Sequence, residues 1–453
     1  MRLFFTFFSL TALILHFSLF AKANTELSGG DTTVFSSGQN AFGMPLANIS
    51  RTNRRAHVVG NSFFNKNWVF SPSSTTARDG LGPLFHARSC SSCHVKDGRG
   101  APTNKDSASV GLVFRLNVPG QLKGDPILGL QLATKSDPSI EPEGIVRVSY
   151  SEQIKELEND RTTSLRKPIY NVILNKYYGN PHPQIKFGPR IAQQLVGVGL
   201  LEAVSENIIL NRVDPNDEDG DGISGRANFV YNPETKQKEL GRFGWKANEA
   251  NLRTQTASAF LRDMGITSPI HPIEDFTKTQ KEKIKFSSIN SAPDIDSSKF
   301  ERVVTYLRTL APPAQRNPND PSVKRGNILF SKIGCSSCHV PTLKTGSVTA
   351  IDELKNQTIS PYTDLLLHDM GEELADGITD SMASGSEWRT PPLWGIGLTK
   401  AVNGNSFFLH DGRARSIEEA ILWYGGEGTT SRKNYSSLRS VEREDVLNFI
   451  NSL

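Results

Sequence analysis

Four cysteines are the whole thiol content of this 453-residue chain, and they fall in two identical pentads. Cys90-Ser91-Ser92-Cys93-His94 is the first and Cys335-Ser336-Ser337-Cys338-His339 the second. C-x-x-C-H is the attachment pattern of a c-type haem. Its two thiols add across the porphyrin vinyl groups, and the histidine that follows binds the iron. One pentad could be chance, half a zinc site or a redox dithiol. Two pentads that consume every cysteine point to two covalent haems, with His94 and His339 as proximal ligands. A single zinc held by all four thiols would leave both histidines without a role.

Thioether haems belong outside the cytoplasm, and the start of the chain agrees. Arg2 precedes an apolar run from Leu3 to Phe20, and Ala21-Lys22-Ala23 is an A-x-A cleavage site. We therefore expect a signal peptide over residues 1–23, cleaved after Ala23, export to the periplasm and no membrane span afterwards. Cleavage lowers the formal charge from +4 to +2 by removing Arg2 and Lys22. That near-neutral balance argues against nucleic acid as a partner. At 37% hydrophobic and 22% charged residues, neither overall disorder nor a multi-span membrane protein fits.

The elements that hold the pentads are partly legible. Cys90 and Cys335 lie 245 positions apart, far more than one small haem domain requires. Ser298 with Glu301 resembles a capping box, and Phe300, Val303, Val304 and Leu307 share one helical face behind it. Pro312 and Pro313 end that helix. A second domain then begins with Gly326 to Phe330 and Cys335, and it closes with a last helix capped by Ser440, with Val446, Phe449, Ile450 and Leu453 as its apolar stripe. The expected fold is mainly α with some β: two cytochrome-c-like haem domains, over residues 24–315 and 316–453. The first is enlarged by insertions. In it, residues 111–118 and 144–150 have β composition and could pair, and residues 191–204 read as a helix.

Several further segments carry a resemblance. They include Gly80-Leu81-Gly82-Pro83-Leu84-Phe85, Asp97-Gly98-Arg99-Gly100 and Gly241-Arg242-Phe243-Gly244-Trp245-Lys246. Towards the C-terminus come Glu387-Trp388-Arg389-Thr390-Pro391-Pro392-Leu393-Trp394 and Phe408-Leu409-His410-Asp411-Gly412-Arg413. In this order they resemble the bacterial di-haem oxidoreductases of peroxidase type, which are similar to di-haem cytochrome c peroxidases and to MauG-type enzymes. The resemblance runs from about residue 40 to the C-terminus.

What it implies concerns the far side of each iron. Peroxidases of this kind carry a distal histidine 16 residues after the first proximal one. Here Val110 stands there, so the first haem should be open, unless His57, His86, His182 or His271 folds back onto it. For the second haem, related enzymes place a ligand 14 residues after the histidine of the His-Asp-Gly motif. From His410 that is Tyr424, where MauG-type enzymes have tyrosine and peroxidases methionine. Ser416 with Glu419 caps a helix on which Ile417, Ala420, Ile421 and Tyr424 face inward. Met370 and Met382, 31 and 43 residues after His339, are the rival ligands. Tyrosinate would favour ferric iron, and a thioether would raise the potential. His410 itself reads as a neighbour of the haem rather than a ligand.

Peroxide chemistry also needs a group that moves a proton between the two oxygens. Related enzymes use a glutamate with a nearby glutamine, and Glu202, Gln193 and Gln194 are the best match. Trp245 and Trp68 are candidate electron relays. A calcium-type opening, D-x-D-x-D-G, spans Asp217, Asp219 and Asp221, with Asn228 where a bidentate glutamate would close the loop and Asp214 free to help. Related enzymes hold calcium between their haem domains.

The combined expectation is a peroxide-dependent di-haem oxidoreductase. A small c-type cytochrome or another periplasmic donor supplies its electrons. MauG-like or thiol-oxidising chemistry, a non-enzymatic di-haem electron carrier and a sensor of peroxide or a small gas are the alternatives.

Overall fold

A computed structural model describes residues 26–104, 107–121, 123–157, 161–284 and 293–453. The expected signal peptide lies outside these residues. Among them no helix is long and apolar enough to cross a membrane.

Two helix crossings organise the molecule. Arg51–Asn65 packs on Ser297–Arg308 at Gly60, where a Cβ would sit 2.0 Å from the Arg302 carbonyl oxygen. Pro321–Lys332 packs on Ser440–Ser452 at Gly326, where a Cβ would sit 1.9 Å from the Asp445 carbonyl oxygen. Only glycine lets the backbones approach so closely. The expected apolar faces are the buried ones. Phe300, Val303, Val304 and Leu307 face one core, and Val446, Phe449, Ile450 and Leu453 another. The caps differ slightly. Asp296, not Ser298, caps the helix before the prolines by accepting from Lys299 N–H. Glu442 accepts from Arg439 N–H at the start of the last helix.

Helix accounts for 32% and strand for 20%, so the fold is mixed rather than mainly α. The extra strand content lies between residues 103 and 240. Gly144–Leu157 pairs in antiparallel register with Arg161–Leu174, the two long strands of a four-stranded sheet that Thr103–Asn104 and Ser107–Ala108 complete. Leu112–Asn117 pairs with Lys186–Ile191. The expected pairing of residues 111–118 with 144–150 does not form. Each segment takes a different antiparallel partner, and they meet only through a shared core of Leu112, Phe114, Val146 and Val148.

Residues 191–204 are not one helix. Ile191 ends a strand, and the helix is only Val198–Ala203. Gly197 opens it at φ 68°, and a Cβ there would lie 2.2 Å from the Trp394 ring, so the chain turns sharply before the helix can start.

Candidate functional site

Each pentad forms a short turn at the wall of its own cavity. Ser89 caps Cys90–Cys93 by accepting from Ser92 N–H, and His94 N–H closes the turn onto the Cys90 carbonyl at 3.0 Å. His339 N–H closes onto Cys335 at the same distance. His94 donates Nδ1–H to the Gln193 carbonyl at 2.6 Å, and His339 donates Nδ1–H to the Tyr362 carbonyl at 2.9 Å. A carbonyl can only accept, so each ring keeps Nε2 as a free lone pair, the state an iron ligand needs. Cys90, Cys93 and His94 line one cavity, and Cys335, Cys338 and His339 the other. The two cysteine pairs therefore do not share a metal. All four thiols are free, and burial pushes Cys90 and Cys335 up to about 12. Two thiols and one ring nitrogen per cavity fit a c-type haem in each.

A sequence repeat supports each turn. Phe64 lies four residues after Gly60, with its ring 6.3 Å from His94. Phe330 lies four after Gly326, 6.2 Å from His339. Gly60-Asn61 and Gly326-Asn327 thus open the same G-N-x-x-F pattern. Only its second copy figured in the sequence reading.

The first cavity departs from expectation on its acid–base groups. Glu202 does not line it. Its carboxylate is taken by Arg308, at 2.6 Å, and by Leu252 N–H, at 2.8 Å. Gln193 and Gln194 do line the cavity, but Gln193 is the residue whose carbonyl holds His94, and Gln194 donates to the Trp394 carbonyl. Gln193 is therefore the neighbour of His94, and the Gln194 amide nitrogen is already engaged. The lining instead supplies Glu249, Gln255 and Asn248, none anticipated. Burial raises the Glu249 carboxyl above the ordinary glutamate range, against the pull of Arg262 and of Ser258 and Thr254. Arg115 and Arg262 line the same cavity, and burial lowers Arg115 to about 10.

His94 is the one histidine on this cavity among the described residues. His57 is bonded to Thr309, and His86 to Thr134 and the Val110 carbonyl. His182 accepts from Gln184 N–H. None of these, nor His271, reaches the lining. Met264 does reach it, from the last turn of Leu252–Met264.

The second cavity is lined mainly by apolar and aromatic side chains. Ser416 caps Ile417–Leu422, and Ile417, Ala420, Ile421 and Tyr424 all line the cavity as one inner face. Burial raises the Tyr424 phenol above its ordinary range. Met370 lines the cavity beside it, whereas Met382 is half exposed and points elsewhere. His410 stacks on Trp388 at 3.8 Å, and burial lowers it to about 4, so the imidazole is neutral. Trp245 lines both cavities, and Trp68 neither. Trp68 is buried edge-on to Phe260.

In the acidic loop, Asp214, Asp217 and Asp219 bring carboxylate oxygens within 4.8 Å of one another. Asp221 turns away to accept from Ile223 N–H at 2.8 Å. Asn228 is buried and bonded to the Lys246 and Asp380 carbonyls, so it closes no loop. Ser224, just downstream, donates twice to Glu427 of the second cavity.

The family model "Di-haem oxidoreductase, putative peroxidase" matches residues 22–113 and 146–453. No curated protein matches the chain. Among solved structures, Kuenenia stuttgartiensis hydrazine synthase aligns over 90% of this chain and 95% of its own, at 13% identity and a TM-score of 0.34. Two C-x-x-C-H cavities and a family match across most of the sequence lead to one conclusion: the chain belongs to the di-haem oxidoreductase family.

Proposed function

We propose that this is a periplasmic c-type di-haem enzyme that reduces hydrogen peroxide at the first cavity and exchanges electrons through the second. The observation that carries the reading is the contrast in what each histidine faces. His94 shares its cavity with two carboxyls, Glu249 and Asp263, that burial holds above their ordinary ranges, and with several amides, while His339 shares its cavity with a phenol, a thioether and a carboxylate, Glu427, already bonded to His368 and Ser224. A bound haem would supply iron that takes up peroxide on a free side and passes single electrons. The chain supplies the rest. Glu249 holds the peroxide proton and moves it from one oxygen to the other, a task suited to a carboxyl whose pKa burial has raised. Gln255 and Asn248 orient the peroxide. Arg115 and Arg262 supply positive charge for the haem carboxylates. Gln193 and Tyr362 fix the two proximal rings.

Tyr424 or Met370 is the second haem's further ligand, and the choice decides between MauG-like oxidation of a substrate side chain and a cytochrome-fed peroxidase. Two electrons from a small c-type cytochrome or another periplasmic donor, with two protons, balance the reduction of peroxide to water. The two glycine helix crossings, one per pentad, support a cytochrome-c-like unit on each side of residue 315. Asp214, Asp217 and Asp219 are the calcium ligands of this proposal, the hard-oxygen set such an ion prefers.

The test is paramagnetic resonance of the ferric protein. One high-spin and one low-spin signal in equal amounts are expected, with peroxide perturbing only the first. Met264 favours a second reading, in which its thioether closes the first haem and the protein only carries electrons. Two low-spin signals that Met264→Leu reduces to one would establish that reading instead.

A further inference from the structure

The space between the cavities holds more than one ring. Trp245 lies edge-on to Trp388, centroids 6.5 Å apart at 86°, and also edge-on to His410 at 6.5 Å. Trp388 and His410 are stacked at 3.8 Å and 11°, and both line the second cavity. The imidazole covers one face of Trp388, so the Lys246 ammonium, 4.1 Å from the ring centroid, sits over the other. Lys246 has no solvent exposure. Its Nζ donates to the Ser384 and Glu387 carbonyls at 2.6 and 2.8 Å and lies 3.5 Å from Asp376. Arg190, paired with Asp376 at 2.7 Å, adds a second cation 5.4 Å from the same ring. Trp245 has one cation near its ring, Arg99 at 5.5 Å.

We propose that Trp388 is a second relay ring in series with Trp245, and that Lys246 is a positioning residue that keeps the oxidised charge from resting on Trp388. The proposal deepens the functional reading above and rests on its electron exchange between the cavities. In the step itself hydrogen peroxide reacting at the first cavity is the oxidant: Trp245 loses one electron to that cavity, Trp388 refills Trp245 and is refilled in turn by one electron from the second cavity. No bond forms or breaks. No proton leaves either indole, because Trp245 Nε1–H is held by the Ile191 carbonyl at 2.8 Å and Trp388 Nε1–H by the Leu374 carbonyl at 3.0 Å. A carbonyl is too weak a base to take the proton. An oxidised indole here therefore stays a cation, and its stability is set by neighbouring charge. A desolvated ammonium against the ring face attracts a neutral indole and repels an oxidised one. The nearer cation, with Arg190 behind it, makes Trp388 the less stable resting place and Trp245 the more stable one.

Stopped-flow absorbance after one equivalent of peroxide reads how fast the second haem is oxidised by way of the first cavity. Trp388→Leu should slow that oxidation at least tenfold, with cavity-bound haem content unchanged. An unchanged rate overturns the relay. In a second measurement, peroxide is added and the radical is read by paramagnetic resonance with indole-deuterated tryptophan. Lys246→Met should give a tryptophan radical that is absent from the parent, from Lys246→Arg and from the double variant that adds Trp388→Leu. A folded Lys246→Met without that radical overturns the role of the lysine. Should Lys246→Met fail to fold, the Trp388→Leu rate still decides the relay. Absence of any transfer in the parent would overturn this proposal together with the two-haem reading. Transfer that survives Trp388→Leu would overturn this proposal alone.

Discussion

The two cavities start from the same five residues and end with different chemistry. In each, a cysteine turn presents a histidine whose Nδ1–H is tied to a backbone carbonyl, and a phenylalanine from a G-N-x-x-F segment lies about 6 Å away. The proximal halves are nearly copies. The difference lies in the remaining walls. The first cavity brings Glu249, Asp263, Gln255 and three arginines to its lining, and the second brings Tyr424, Met370 and the Trp388–His410 stack. A shared motif thus builds the same histidine turn twice, and unrelated segments, inserted between or after the motifs, give each copy different surroundings. The lesson matches the physics of a haem, whose reactivity is set by its far-side ligand and the polarity around it.

The largest expected effect removes the acid–base side of that contrast. Glu249→Gln should slow the reaction of the ferric first haem with peroxide by about 100-fold or more, the usual size of a general acid–base contribution. Stopped-flow absorbance would show it, and the second haem's spectrum should not change. A rate within a few fold of the parent would remove Glu249 from the mechanism.

Tyr424→Phe acts on the other cavity. It should convert the low-spin signal to high-spin while leaving the first haem as it was. If the low-spin signal persists and Met370→Leu abolishes it, the thioether is the ligand and the second haem is the high-potential one.

The proximal likeness can be tested by stability. Gly60→Ala and Gly326→Ala each force a methyl into a neighbouring backbone carbonyl. Each should destabilise its helix crossing by about 1–3 kcal/mol, the range for overpacking. Urea unfolding followed at each haem would show whether the two units loosen separately or together.

The effect that bears least on the contrast between the cavities concerns a residue of neither. Glu143 is fully buried, accepting from Ala133 N–H at 2.7 Å and Gln280 Nε2–H at 2.6 Å. Burial outweighs those bonds and raises its carboxyl from 4.5 to about 8. The folded state therefore holds a proton that the unfolded chain has lost. Its contribution to stability is complete below about pH 4.5 and falls as pH rises towards about 8. The slope is at most about 1.4 kcal/mol per pH unit. Glu143→Gln should flatten that fall in denaturant midpoints without touching either haem. A parallel pH profile in parent and variant would refute the assignment.

Much of the proximal half was legible in residue order. The pentads, the capped helix that leads to Tyr424, and the apolar faces of the helices at 297–308 and 440–452 depend on neighbours within a turn or two. Such short-range patterns survive in a single sequence. Glu202 shows where this stops. It is a glutamate among leucines and valines, as a buried proton shuttle would be. Arg308, 106 positions away, reaches across a helix contact and claims its carboxylate. Glu249 carries no local sign of its role, since it follows a tight loop rather than an amphipathic face, and only the fold brings it to the cavity of His94. The strand pairings failed for the same reason: residues 111–118 and 144–150 have the right composition, but partner choice is a long-range decision.

What the sequence determined by itself is therefore the two-fold pattern of four cysteines and two histidines at fixed spacing, because each turn that presents them is built from neighbours in the chain. What only the tertiary structure decided is which acid, phenol, thioether and indoles surround each ring. Those groups come from segments up to hundreds of residues apart, and their proximity is set by packing, which no local spacing encodes.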